Sequence, residues 1–161
     1  MAAKGKRFYH YFYGWLLLLL LAVDQLAKAL IRGLPAGERL AVIPGFLWLS
    51  HVRNTGSSFG LFQGWNAILI WVSILFLGLL LYYHDSFRTK AEKIFLTLLF
   101  MGVLGNLVDR VFLGSVTDIF DLGWFPVFNV ADSCLTIGVI GLILYELFWK
   151  KERAVRKGAG Q

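Results

Sequence analysis

Four long apolar stretches, at 14–31, 67–83, 94–112 and 130–149, divide the chain into hydrophobic blocks separated by polar or turn-rich segments. Each is near the ~20 residues an α-helix needs to cross ~30 Å of hydrocarbon, so the pattern predicts an all-α membrane protein with four transmembrane helices. The connection between the first two blocks differs in kind. It opens on Gly33-Leu34-Pro35-Ala36-Gly37 and continues over 40–62 with aromatic and β-branched residues among polar ones, with turn signals at Pro44-Gly45 and Asn54-Thr55-Gly56-Ser57-Ser58. These signals predict short strands, forming a small β-containing platform on the outer membrane surface between helices one and two. Between the third and fourth blocks, Gly114 and Gly123-Trp124-Phe125-Pro126 bracket 115–122, which predicts a short loop or surface element. Without an internal repeat or linker, residues 1–161 read as a single membrane domain.

Basic residues orient the blocks. Lys4, Lys6 and Arg7 precede the first, Arg88, Lys90 and Lys93 separate the second from the third, and Lys150, Lys151, Arg153, Arg156 and Lys157 follow the fourth. Segment 33–66 has only Arg39 and Arg53, and 113–129 has neither Lys nor Arg. Both termini are therefore expected on the cytoplasmic side, with the platform facing outward. The first block imitates a signal peptide through its basic start and Ala27-Lys28-Ala29, but Asp24 and Lys28 interrupt that character, and we expect the helix to be retained.

A content of 58% hydrophobic and 16% charged residues agrees with a membrane protein, and because four spans would use nearly half of these residues and leave only connections and short tails, no separate soluble catalytic domain is expected among them. Any chemistry must sit in or beside the bilayer. The formal charge of +6 comes from residues beside helix ends, not from a basic face interleaved with aromatics, which argues against nucleic acid. Cys134 is the sole cysteine, and His10, His51 and His84 are scattered without the one-face spacing of a zinc site. No disulfide, metal or cofactor is expected.

Ionisable side chains at membrane depth cost several kcal/mol and are usually paired or functional. Asp24 and Lys28, four apart, share a face of helix one. Asn106, Asp109 and Arg110 share a face of helix three, and Asn129 and Asp132 stand three apart at the start of helix four. At ~1.5 Å per residue these faces converge on the outer half of the bilayer, which favours a surface active site over an ion path. Two readings stay open for Asp24, Lys28, Asp109 and Arg110. They are buried pairs that lock helix packing, Asp24 with Lys28 and Asp109 with Arg110, or they take part directly in chemistry. Asn54, Asn106 and Asn129 read as interhelical or capping support. Asp118 and Asp132 have no sequence-local cation to account for them. Asp132 also reads as a helix cap, and Asp121 as a solvated carboxylate that competes for the role of Asp118.

Two carboxylates brought together resist double ionisation, so one holds a proton while the other stays charged. The charged member can take a proton from water, and the protonated member can polarise a scissile carbonyl. That is the chemistry of an aspartic protease. The competing readings are a Ser57 or Ser58 nucleophile activated by Lys28, an ion conductor, and a scaffold held by polar pairs.

At these residues the sequence resembles the lipoprotein signal peptidase family, also called signal peptidase II. The motifs recur in order over nearly the whole chain: Asp24-Gln25-Leu26-Ala27-Lys28, Val52-Arg53-Asn54-Thr55-Gly56 with Phe59-Gly60, Gly105-Asn106-Leu107-Val108-Asp109-Arg110, Val116-Thr117-Asp118, and Phe128-Asn129-Val130-Ala131-Asp132-Ser133. Ser57 and Ser58 replace the small apolar residues usual there, and Ile119 stands where Phe is common. The resemblance implies an aspartic endopeptidase of the bacterial-type inner membrane, active near its outer face. Its substrates would be diacylglyceryl-modified prolipoproteins, cut before the lipidated cysteine, with membrane lipid as the other partner. Asp118 and Asp132 match the catalytic dyad. Asn54, Gly56, Asn106, Arg110 and Asn129 match residues that hold substrate or orient the dyad, and Asp24, Lys28 and Asp109 match site support. We expect a single copy of the chain to be the working unit.

Overall fold

The apolar blocks become helices whose ends are set by local chemistry that hydrophobicity alone does not display. The computed structural model describes residues 2–56 and 61–150. Ser57, Ser58, Phe59 and Gly60 lie outside the described residues, as do Lys151, Arg153, Arg156 and Lys157. Helix α1 runs Ala2–Ile31, starting well before position 14 because no proline interrupts the preceding segment. Helix α2 covers Asn66–Tyr82 and α3 covers Lys90–Leu113. The early start of α3 has a specific cause. The Glu92 N–H donates to Thr89 Oγ1 (3.2 Å) and the Thr89 N–H donates to Glu92 Oε2 (2.8 Å), a reciprocal capping box that begins the helix before its apolar run. Gly114, at φ 72°, ends it in the left-handed conformation that glycine adopts without a Cβ penalty. Helix α4 spans Val130–Leu144 and finishes in a π-helical turn, Tyr145–Lys150.

Among the described residues, three stretches are long and apolar enough to cross a membrane: Tyr11–Ile31, Lys90–Leu113 and Val130–Trp149. Helix α2, with 17 residues, is apolar but shorter, about 26 Å long.

Three antiparallel strands complete the fold: β1 (Arg39–Ile43), β2 (Leu47–Asn54) and β3 (Val116–Asp121), in the order β1-β2-β3. The expected platform between helices one and two therefore gains its third strand from the connection between α3 and α4. Segment 115–122, expected as a short loop or surface element between Gly114 and Gly123, is the surface strand β3. It becomes a strand by pairing with β2, which places Val52 opposite Asp118 and Arg53 opposite Thr117. This long-range pairing carries Asp118 to the strand that bears Asn54.

Helix α3 is the hub, packed against α1, α2 and α4, whereas α2 rests chiefly on α3. An open groove is left between α2 and α4. Close approach of α3 and α4 depends on missing side chains: a Cβ at Gly102 would lie 2.6 Å from the Ala131 carbonyl oxygen, and one at Gly105 would lie 2.8 Å from Asp24 Oδ2. Met101, Ala131 and Cys134 fill the apolar contact beside them. Large apolar side chains such as Trp71, Leu75 and Leu81 of α2 point outward, while Asp24, Lys28, Asp109 and Asn129 are completely buried. A polar interior inside an apolar exterior suits a lipid solvent, where helices gain nothing by hiding leucine but much by pairing polar groups.

Candidate active site

Lys28 anchors the interior. Its ammonium lies 2.9 Å from Asp24 Oδ2 and 3.4 Å from Asp109 Oδ2, and donates to Asn106 Oδ1 (3.1 Å) and the Gly105 carbonyl (3.4 Å). The expected Asp24–Lys28 pair is present. Asp109 departs from its expected partner: it faces Lys28 and, at 3.9 Å, Arg32, not Arg110. Both carboxylates also fasten backbone, Asp24 accepting from the Ala131 N–H (2.9 Å) and Asp109 from the Thr117 N–H (2.9 Å). The buried cluster thus holds the two segments that bear Asp118 and Asp132.

Three asparagine amides continue from this cluster, each oriented by its own partners. Asn106 accepts from Lys28 and donates to Asp132 Oδ1 at 2.8 Å. Asn129 caps α4 by accepting from the Asp132 N–H (2.9 Å), which turns its NH2 group toward Asp118 Oδ1 (2.9 Å) and Asn106 Oδ1 (3.1 Å). Its backbone N–H donates to Asp132 Oδ2 at 3.1 Å. A single residue therefore touches both carboxylates. Asn54 accepts from the Gly56 N–H (2.9 Å) and donates to Asp118 Oδ2 (3.0 Å). Arg110 turns away from Asp109 and donates to the Gly56 carbonyl (3.0 Å). Asp132 is both a cap and a member of this site, so the two sequence readings of it are not exclusive.

Asp118 and Asp132 line one groove of about 620 Å³ between α2 and α4, together with Asn54, Asn106, Arg110 and Ser73. Burial raises the Asp118 carboxyl from an ordinary 3.8 to about 7, and the charge of Asp132 pushes the same way. Donation from Asn54 and Asn129 and the charge of Lys28 oppose the rise without cancelling it. Asp118 holds its proton in the folded chain between about pH 4 and 7, a window in which the unfolded chain has released it. Stability is therefore expected to fall as pH rises through that window in the native protein, and this part of the slope should be missing in Asp118→Asn. Unfolding midpoints at ~pH 5 and ~pH 8 check it; parallel slopes for the two proteins would remove the raised carboxyl.

Asp121, the rival carboxylate on the same strand, is 2% exposed and not solvated as expected. It pairs with Arg39 (2.9 Å) and accepts from Ser50 (3.3 Å) and the Gly123 N–H (2.8 Å), on the opposite face of β3 from Asp118. Residues that the sequence reading passed over also hold the site. Arg32 donates to Thr117 Oγ1 (3.2 Å), and Gln25 donates to Asp109 Oδ1 (3.2 Å) and the Gly105 carbonyl (3.1 Å). The signal for Arg32 is its spacing, four residues beyond Lys28 on the same face of α1.

The family model for signal peptidase (SPase) II matches residues 16–148. The chain belongs to the signal peptidase II family. Among its relatives, the lipoprotein signal peptidase of Fusobacterium nucleatum subsp. nucleatum is 37% identical over 150 residues, covering 89% of this chain and 91% of that protein. The lipoprotein signal peptidase of Dehalococcoides mccartyi is 43% identical over 129 residues, covering 75% of this chain and 79% of that protein. A bacterial membrane enzyme solved at 2.3 Å resolution superposes with a TM-score of 0.81 at 34% identity, over 88% of this chain and 90% of its own. Membership of signal peptidase II, together with the apolar helices, makes this a multi-pass membrane peptidase. All the site residues that motif resemblance selected lie on the Lys28–asparagine–carboxylate network or directly against it.

Proposed function

We propose that the chain is an aspartic endopeptidase that removes signal peptides from diacylglyceryl-modified prolipoproteins, cutting on the amino-terminal side of the lipidated cysteine. The observation that carries this reading is the bracketing of Asp118 and Asp132 by Asn129 at the head of an apolar groove. The pair shares one proton near neutral pH because double ionisation in a buried site is unfavourable. Its charged member accepts a proton from a water as the water oxygen attacks the scissile carbonyl, and its protonated member stabilises the forming oxyanion. Collapse of the tetrahedral species breaks the C–N bond. The leaving nitrogen receives a proton from the dyad, which releases the amino group of the lipidated cysteine and a new signal-peptide carboxylate.

Asn54 and Asn129 orient Asp118, Asn106 and Asn129 orient Asp132, and Lys28 with Asp24 and Asp109 holds the scaffold beneath them. Arg110 and Gly56 fix the wall through which substrate backbone passes. In this reading α2 is the fourth crossing, both termini lie on the cytoplasmic side of the bacterial inner membrane, and the three strands rest at its outer face. One copy of the single domain suffices, because both carboxylates come from the same chain.

Purified protein in neutral detergent is expected to cut a synthetic diacylglyceryl prolipopeptide before its cysteine and to leave the unlipidated peptide essentially intact. Mass spectrometry of the products checks both statements. Cutting at another bond, or equal rates with and without the lipid, would count against this substrate class.

A further inference from the structure

We infer that Arg53 reads the charge of the polypeptide just downstream of the cut, favouring substrates with acidic residues soon after the lipidated cysteine; this rests on the peptidase reading above. A second groove, of about 500 Å³, carries Arg53, Thr55 and Gln63, and meets the first at Asn54 and Asp118. Asp118 therefore stands at a junction. The two grooves differ in character. The first runs between α2 and α4 past Val103, Leu135 and Ile137, and suits acyl chains and an apolar signal peptide. The second lies against the sheet and has a polar rim. Both the signal peptide and the diacylglyceryl group belong to the membrane, so the segment that must leave it is the polypeptide following the cysteine, and the second groove is its exit.

Arg53 is the one arginine of this end left uncommitted among the described residues. Arg32 is held by Thr117 and Asp109, Arg39 by Asp121, and Arg110 by Gly56. Arg53 is exposed, and its guanidinium makes no hydrogen bond or ion pair with any described residue. Its register opposite Thr117 puts its Cα one residue along and one strand across from Asp118, about 3.3 Å and 4.8 Å respectively. An extended peptide leaving the dyad advances about 3.3 Å per residue. Alternation along β2 turns the Arg53 side chain to the sheet face opposite Asp118 and Asn54, but Arg53 lines the same groove as both at the end of the strand, where its long stem carries the guanidinium round to the second or third residue after the cysteine. Lys or Arg at those positions is repelled, and Asp or Glu is attracted.

The test uses three diacylglyceryl prolipopeptides that differ only at the second and third positions after the cysteine, carrying Glu-Glu, Gln-Gln or Lys-Lys. They compete in neutral detergent, and the ratios of kcat/KM are read by mass spectrometry. An exposed charge pair is worth up to about fivefold, so attraction and repulsion together should give the native protein about a tenfold preference for Glu-Glu over Lys-Lys. That ratio should fall to near one in Arg53→Gln, invert in Arg53→Glu, and shrink for the native protein when salt is raised to ~0.5 M. An unchanged Glu-Glu to Lys-Lys ratio in both variants overturns the inference, and so does a uniform slowing of all three peptides with the ratio kept, the pattern of a structural or lipid-phosphate role. If the native protein cuts the Gln-Gln peptide but shows no charge preference, this inference alone falls. If it cuts none of the three, the peptidase reading falls with it.

Discussion

Asp118→Asn and Asp132→Asn, each purified as a folded protein, are expected to lose cleavage of the lipidated peptide by at least ~10³-fold in kcat, because in the proposed mechanism either change removes half of a unit that gives and takes a proton in one reaction. The double variant should be no slower than the single ones, since residues acting as one device do not contribute additively. Stability separates the two positions. Asn at 118 faces amide donors from both Asn54 and Asn129 with only one acceptor oxygen. Asn at 132 must choose between the Asn106 amide and the Asn129 N–H, and should lose about 1 kcal/mol of capping. Kinetics and unfolding on the same preparations decide the matter. A folded single variant that keeps more than about a tenth of the native rate would remove that residue from the dyad.

The largest loss of stability is expected at Lys28. Its replacement by Met keeps a similar apolar stem but leaves Asp24 and Asp109 buried with their central cation gone. Removing one partner of a buried ion pair costs about 3–5 kcal/mol, most of it from the charge left behind. Arg32 still stands 3.9 Å from Asp109, so Asp24 is the orphan. Adding Asp24→Asn to Lys28→Met should therefore restore a substantial part of the loss, because the amide oxygen can still accept from the Ala131 N–H without carrying charge. Lys28→Met should also slow cleavage, since Asn106 loses the donor that turns its NH2 group toward Asp132. Unfolding in mixed micelles as the denaturing detergent is increased measures the cycle. Native-like resistance of Lys28→Met, or no recovery in the double variant, would show that the cluster does not hold the fold together.

The same cluster argues against the serine–lysine alternative. A lysine that activates a nucleophile needs a free lone pair and a path to the hydroxyl, whereas the Lys28 ammonium is completely buried among Asp24, Asp109, Asn106 and the Gly105 carbonyl. Ion conduction also finds less support than peptide cleavage, because the buried polar groups end at a lateral groove with the carboxylates at its head.

Much of this was legible from order and spacing. Apolar run length places α2 (Asn66–Tyr82) and the start of α4 to within a residue, but misses the starts of α1 at Ala2 and of α3 at Lys90; the early start of α3 follows from the Thr89–Glu92 capping box, a contact between two polar side chains and the backbone that hydrophobicity does not record. Periodicity puts Asp24 and Lys28 on one face, and their ion pair follows from a helix pitch that any sequence shares. Adjacency misleads at Asp109 and Arg110. Neighbouring residues on a helix point about 100° apart, so one turns to Lys28 and the other to Gly56.

Local sequence is enough for most helix bounds and for which polar residues share a helix face, since each depends on contacts within a turn or two of chain. The third strand, the burial of Asp121 on the far face of it, the role of Arg32 and the meeting of Asp118 with Asp132 required the assembled fold. The third strand and the burial of Asp121 depend on β2 pairing with β3, and the meeting of the two carboxylates also on α3 and α4 closing over Gly102 and Gly105. Such pairings join segments tens of residues apart, and a strand takes its partner from the geometry of the whole chain, not from a preference that its own residues can express.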